Sequence, residues 1–105
     1  MDKALIQQAV ERIVTEANPL QVILFGSQAR GDVLSDSDAD FLVIGHFQEP
    51  KAKLFMRINK SLAGLNMDRD IVLMSPETFA SSRFIPGTLA YPAAKEGIMV
   101  YDAHA

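Results

Sequence analysis

Two neighbouring stretches decide how this chain is read: Leu24-Phe25-Gly26-Ser27-Gln28-Ala29-Arg30-Gly31 and Ser37-Asp38-Ala39-Asp40-Phe41-Leu42-Val43. Gln21 to Phe25 is a short apolar, β-branched run, which predicts a buried strand ending at Gly26. Ser27 begins a turn of helix through Arg30, and Gly31 stops it. A strand that runs into Gly-Ser and then into a helical turn leaves unpaired backbone N–H groups facing whatever lies in front of it. Gly26 lets the backbone approach a ligand closely and Ser27 adds a hydroxyl donor, so the corner suits a phosphate. Taken alone, however, Gly-Ser is more often a plain turn with Ser27 as helix cap.

The second stretch changes that balance. Asp38 and Asp40 stand two residues apart at the start of a strand predicted over Ala39 to Ile44, so their carboxylates project to the same side. Two like charges that close repel each other, and a divalent cation relieves the repulsion. Oxygen-only ligands suit Mg²⁺, which takes one or two protein carboxylates and completes its shell with water and substrate phosphate. A third acid would come from Met67-Asp68-Arg69-Asp70-Ile71-Val72-Leu73. Asp70 directly precedes the apolar run and is the preferred third acid, with Asp68 as the alternative.

Outward from this centre the chain alternates helices and strands. Leu5, Ile6, Ala9, Val10, Ile13 and Val14 recur at helical spacing, which predicts a helix over 3–17 closed by Asn18-Pro19. Leu54, Phe55, Ile58, Leu62 and Leu65 predict a second helix over 50–65 that ends near Gly64, with Lys51, Lys53, Arg57 and Lys60 on its solvated face. Met67 to Met74 reads as a third strand. Ser75-Pro76-Glu77 is a helix start, Ser75 the cap and Pro76 the first helical position. Pro86, Gly87 and Pro92 interrupt the next stretch of chain, leaving a short helix over 88–95 and a last strand over 98–101. Phe84, Ile85 and Tyr91 belong either to an exposed apolar surface, for a partner or a homodimer, or to the core.

Composition narrows the function classes. The chain has 105 residues, 49% of them hydrophobic, with a net charge of −3 and no cysteine. This is room for a single domain over 1–105 with one core. Disulfides, thiolate nucleophiles and zinc-thiolate sites are excluded, so any metal must be held by oxygen. The acidic balance argues against a broad basic surface for nucleic acid. No apolar run approaches the roughly 20 residues of a membrane span, and the amino terminus lacks the pattern of a signal peptide. The expectation is a cytoplasmic protein.

Gly-Ser, ten residues, then Asp-x-Asp, with Ala-Arg-Gly after the first pair and Ser before the second, resembles the minimal nucleotidyltransferase (MNT) domains of the DNA polymerase β superfamily. The correspondence runs from the leading helix to Lys95-Glu96-Gly97 and Val100-Tyr101. What the resemblance implies is an α/β (α+β) palm-like fold, a mixed sheet of about four strands flanked by helices. It implies transfer of a nucleoside monophosphate, usually AMP from ATP, to an acceptor whose oxygen attacks the α-phosphate in line. Two Mg²⁺ ions on Asp38, Asp40 and Asp70 would stabilise the attacking and leaving oxygens. Asp70 would also help deprotonate the acceptor, and Gly26 and Ser27 would hold the β- and γ-phosphates. Arg30 would either add positive charge there or brace the acidic loop. Small MNT proteins are often paired with a HEPN protein as antitoxin to toxin, and some adenylylate it. The resemblance thus implies a HEPN partner, with an inactive nucleotide-binding antitoxin as the alternative to an enzyme.

Other motifs carry less. Asp36-Ser37-Asp38-Ala39-Asp40 begins like a calcium loop, but Phe41 stands at its sixth position and Phe47 at its twelfth, where glycine and a bidentate glutamate belong. Gly26-Ser27 lacks the surroundings of a nucleophile elbow, and His46 and His104 stand far apart in sequence.

Overall fold

The computed structural model describes residues 2–26, 29 and 39–105. The element order is α1 (Lys3–Ala17), β1 (Gln21–Phe25), β2 (Ala39–Ile44), α2 (Lys51–Ser61), β3 (Arg69–Met74), α3 (Pro76–Ser82), α4 (Ala90–Glu96) and β4 (Ile98–Asp102). Helix α1 starts where the Asp2 carboxylate accepts a hydrogen bond from the Ala4 amide at 2.9 Å. It ends at Asn18, whose left-handed backbone turns its own N–H to the Val14 carbonyl before Pro19 forbids another turn.

The four strands lie in the order β3-β2-β1-β4. β1 is antiparallel to both β2 and β4, whereas β2 and β3 are parallel. A parallel pair cannot be joined by a tight hairpin, and α2 provides the crossover. The two central strands are buried on both faces, which is why QVILF and ADFLVI read as nearly continuous apolar runs.

Side-chain alternation divides the core in two. Val22, Leu24, Phe41, Val43 and Ile71 meet Ala9, Val10 and Ile13 of α1 and Leu54 and Ile58 of α2. On the opposite face Ile23, Phe25, Leu42 and Ile44 meet Phe79 of α3 and Ala90 and Ala93 of α4. By the same alternation Asp40 and Asp70 share the face of Leu42 and Val72, the one that carries α3 and α4.

The helices differ from their expected bounds in instructive ways. α2 stops at Ser61, one turn before Gly64, and the Arg12 guanidinium donates to the Ser61 and Ala63 carbonyls at 3.0 and 3.4 Å. A cation from α1 thus caps the C-terminus of α2. Arg57 is partly exposed but fully engaged: it donates to both Glu49 carboxylate oxygens, to the Glu16 carbonyl at 3.0 Å, and pairs with the Glu16 carboxylate at 3.2 Å. α3 begins as predicted, with the Ser75 hydroxyl accepting from the Thr78 amide at 3.1 Å. α4 starts two residues later than expected, at Ala90, so Pro92 falls in its first turn where its missing N–H costs nothing. No helix among the described residues is long and apolar enough to cross a membrane.

Candidate active site

Strand register assembles the described part of the site. Phe25, the last residue of β1, is paired with Asp40 of β2. Asp40 is in turn paired with Asp70 of β3. Register partners project to the same face, and adjacent strands lie about 4.8 Å apart, so the two carboxylates stand side by side at one end of the sheet. Gly26 follows directly on Phe25.

Gly26 has φ +79°, a left-handed conformation, and a Cβ placed on it would collide with Oδ2 of Asp40. Both facts demand glycine: an L-residue would be strained in the backbone and would push the carboxylate away. Gly26 and the Asp40 carboxylate are therefore packed against each other. Asp40 is half-buried while Asp70 is exposed. Asp70 thus owes its place to register with Asp40 rather than to burial. Asp68 lies ahead of β3 and is exposed, and its carbonyl accepts from the Ala39 amide at 3.0 Å.

Of the six residues singled out from the sequence, Gly26, Asp40 and Asp70 are brought together at this end of the sheet. Ser27, Arg30 and Asp38 lie outside the described residues. No group of three or more acidic or histidine side chains that could hold a metal occurs among the described residues. The donor set they do supply, two adjacent carboxylates and no nitrogen or sulfur ligand, is of the kind Mg²⁺ accepts. Of the two histidines, His46 lies 3.6 Å from the Glu77 carboxylate, an exposed contact on the α3 side.

The sequence profile of the nucleotidyltransferase domain matches residues 6–92. The chain belongs to the nucleotidyltransferase domain family. Its fold is shared by solved structures of low sequence identity. A candidate nucleotidyltransferase from Sulfolobus solfataricus superposes with a TM-score of 0.62 at 20% identity, over 96% of this chain and 80% of that one. A toxin–antitoxin complex with AMP-PNP gives 0.64 at 18% identity, over 91% and 73%. A double aspartate-to-glutamate mutant of the toxin–antitoxin pair MntA–HpeT gives 0.63 at 15%, over 91% and 72%. No curated protein matches the chain in sequence. The matched range, residues 6–92, includes Gly26, Asp40 and Asp70.

Sequence reasoning found this corner because glycine, serine and aspartates are conspicuous at a strand end. It missed Gly97, where a Cβ would collide with the Ala93 carbonyl, the α4 carbonyl that accepts the Gly97 N–H, and with Ile23 of β1. The only signal was a glycine between a helix and a strand, which ordinary helix ends also carry.

Proposed function

We propose that this chain, as one nucleotidyltransferase domain over 1–105, transfers a nucleoside monophosphate, with ATP as donor and AMP as the group moved, to an acceptor on a HEPN-domain toxin partner. The observation that carries the reading is the in-register pair Asp40 and Asp70 beside the left-handed Gly26, in a chain of this family.

Each residue has a part. Gly26 brings backbone N–H groups close to the β- and γ-phosphates, and Ser27 and Arg30 complete that cradle. Asp38, Asp40 and Asp70 hold Mg²⁺, which when bound supplies charge stabilisation to the oxygens of the displacement. Asp70, the exposed member, accepts the proton of the attacking acceptor hydroxyl as the new P–O bond forms and the bond to the β-phosphate oxygen breaks. Pyrophosphate leaves on the opposite side. The toxin–antitoxin structures among the fold's solved neighbours favour a protein acceptor. They also support a second reading, an antitoxin that silences its partner by binding alone.

The test is incubation of the purified protein with α-labelled ATP, Mg²⁺ and the product of the neighbouring gene. Label should appear on the partner and disappear with Asp40→Asn. Absence of transfer by the unaltered protein, with inhibition of the partner intact, would replace the enzyme by the binder.

A further inference from the structure

The α3/α4 face has a second built feature, at the far end of β1 from the acids. A cavity of about 170 Å³ is lined there by Gln21 and Ile23 of β1, Phe79 and Arg83 of α3 and its cap, Gly97, and Met99 of β4. The space is open on one side and has room for a single side chain, with Ile23, Phe79 and Met99 offering apolar contact and Gln21 and Arg83 polar contact. At its rim the Arg83 guanidinium sits 5.0 Å from the centre of the Phe79 ring and 5.4 Å from that of Phe84. Among the described residues no carboxylate pairs with Arg83. Around it Phe84, Ile85, Leu89 and Met99 are 77%, 52%, 52% and 47% exposed.

The connection that presents these side chains is held by its own bonds. The Thr88 hydroxyl lies 2.9 Å from both the Ser82 and Ile85 carbonyls, and the Ile85 and Thr88 amides donate to Ser82 and Ile85 at 3.0 and 3.3 Å. The backbone that carries Phe84 and Ile85 is therefore held before anything binds, which lowers the ordering cost of association. A ring-stacked arginine beside a pocket of mixed lining, near exposed aromatic and aliphatic side chains, has the composition of an interface centre.

We infer that Arg83, Phe84, Ile85, Leu89 and Met99 form a docking surface for a partner protein that offers a carboxylate beside a projecting apolar side chain, the acid on Arg83 and the apolar group in the cavity. Charge complementarity selects this occupant. A second copy meeting the same patch across a two-fold axis would bring two patches of the same positive charge together and offer Arg83 no carboxylate, since Phe84, Ile85, Leu89 and Met99 carry none. A nucleic acid would find an apolar rim on a chain of net charge −3. This surface rests on the partner reading above and adds where the partner sits. It leaves the acid corner open, since Gln21 and Gly26 are separated by about 16 Å of strand.

The test measures, by calorimetry, binding of the product of the neighbouring gene to four forms of this chain: unaltered, Arg83→Glu, Phe84→Ser and Asp70→Asn. Arg83→Glu should weaken binding at least about tenfold and Phe84→Ser by about fivefold, while Asp70→Asn binds normally and loses transfer. Both docking changes are at exposed side chains, and matching thermal melts confirm folding. Normal binding by Arg83→Glu and Phe84→Ser overturns the surface and leaves the partner reading standing. No binding by the unaltered chain overturns both. A dimer in sedimentation that the two docking changes dissolve assigns the patch to a second copy and overturns the proposal.

Discussion

The two faces of the sheet are covered unequally. On one, α1 with 15 residues and α2 with 11 close over Phe41, Val43 and Ile71, and two arginines tie the helices together. On the other, α3 and α4 have seven residues each and rest on Phe79, Ala90 and Ala93. Among the described residues these two short helices cover less of the sheet, and the second face carries the proposed acid corner at one end and the Arg83 patch at the other. The first face holds the fold together, and the second carries the proposed site.

This contrast is broken most directly by trading side chains between faces. Phe41 is fully buried against α1 and α2, and Phe41→Ala should cost about 3–5 kcal/mol, with the Tm falling accordingly. Whatever fraction stays folded should keep its transfer activity per folded molecule. Asp70→Asn should do the reverse: transfer falls by about 10²–10⁴-fold, while stability stays within about 0.5 kcal/mol because the side chain is exposed. Chemical denaturation and single-turnover transfer, run on both variants, check the pair. Equal losses of stability would show that the acid end also serves the core.

Gly97→Ala sharpens the boundary between the faces. The added methyl would meet the Ala93 carbonyl and Ile23, and backbone cannot yield as a flexible side chain can. We expect about 1–3 kcal/mol of destabilisation, read by denaturation, with hydrogen exchange rising in α4 before α1. Uniform exchange across both helices would mean that α4 does not loosen by itself.

Much of the fold is legible in the sequence. The strands Gln21–Phe25 and Ala39–Ile44 and the helix Lys3–Ala17 stand where the apolar pattern puts them, because burial on a sheet or one helix stripe leaves a periodic trace. The first corner is legible because Gly26 and Asp40 are rare chemistry at a strand end. What is not legible is relational. That Asp70 lies next to Asp40 depends on β2 and β3 being parallel and on a specific register, and no local pattern records a register between residues 30 positions apart. Arg57 shows the same limit from the other side. Its spacing matches a solvated helix face, yet its length lets it reach Glu16 on α1 and Glu49 ahead of α2.

The smallest expected effect lies in that arginine clamp. The Arg57 hydrogen bond, followed by the charges of Arg57 and Lys53, holds the Glu49 carboxyl below its ordinary value of 4.5, although burial opposes it. A carboxyl whose pKa is lower folded than unfolded stabilises the fold above the unfolded value, and that contribution is lost as pH falls through the folded one. Glu49→Gln should therefore lower the Tm slightly at pH 7, and the gap to the unaltered chain should close as the pH drops below 4.5. Because Arg57 and Glu49 are 40% and 35% exposed, added salt should shrink the same gap. The loss in Phe41→Ala, which comes from packing, should respond to neither. A Glu49→Gln gap that persists unchanged at low pH would show that the clamp acts through the shape of its side chains, and the first face would then owe its closure to packing alone.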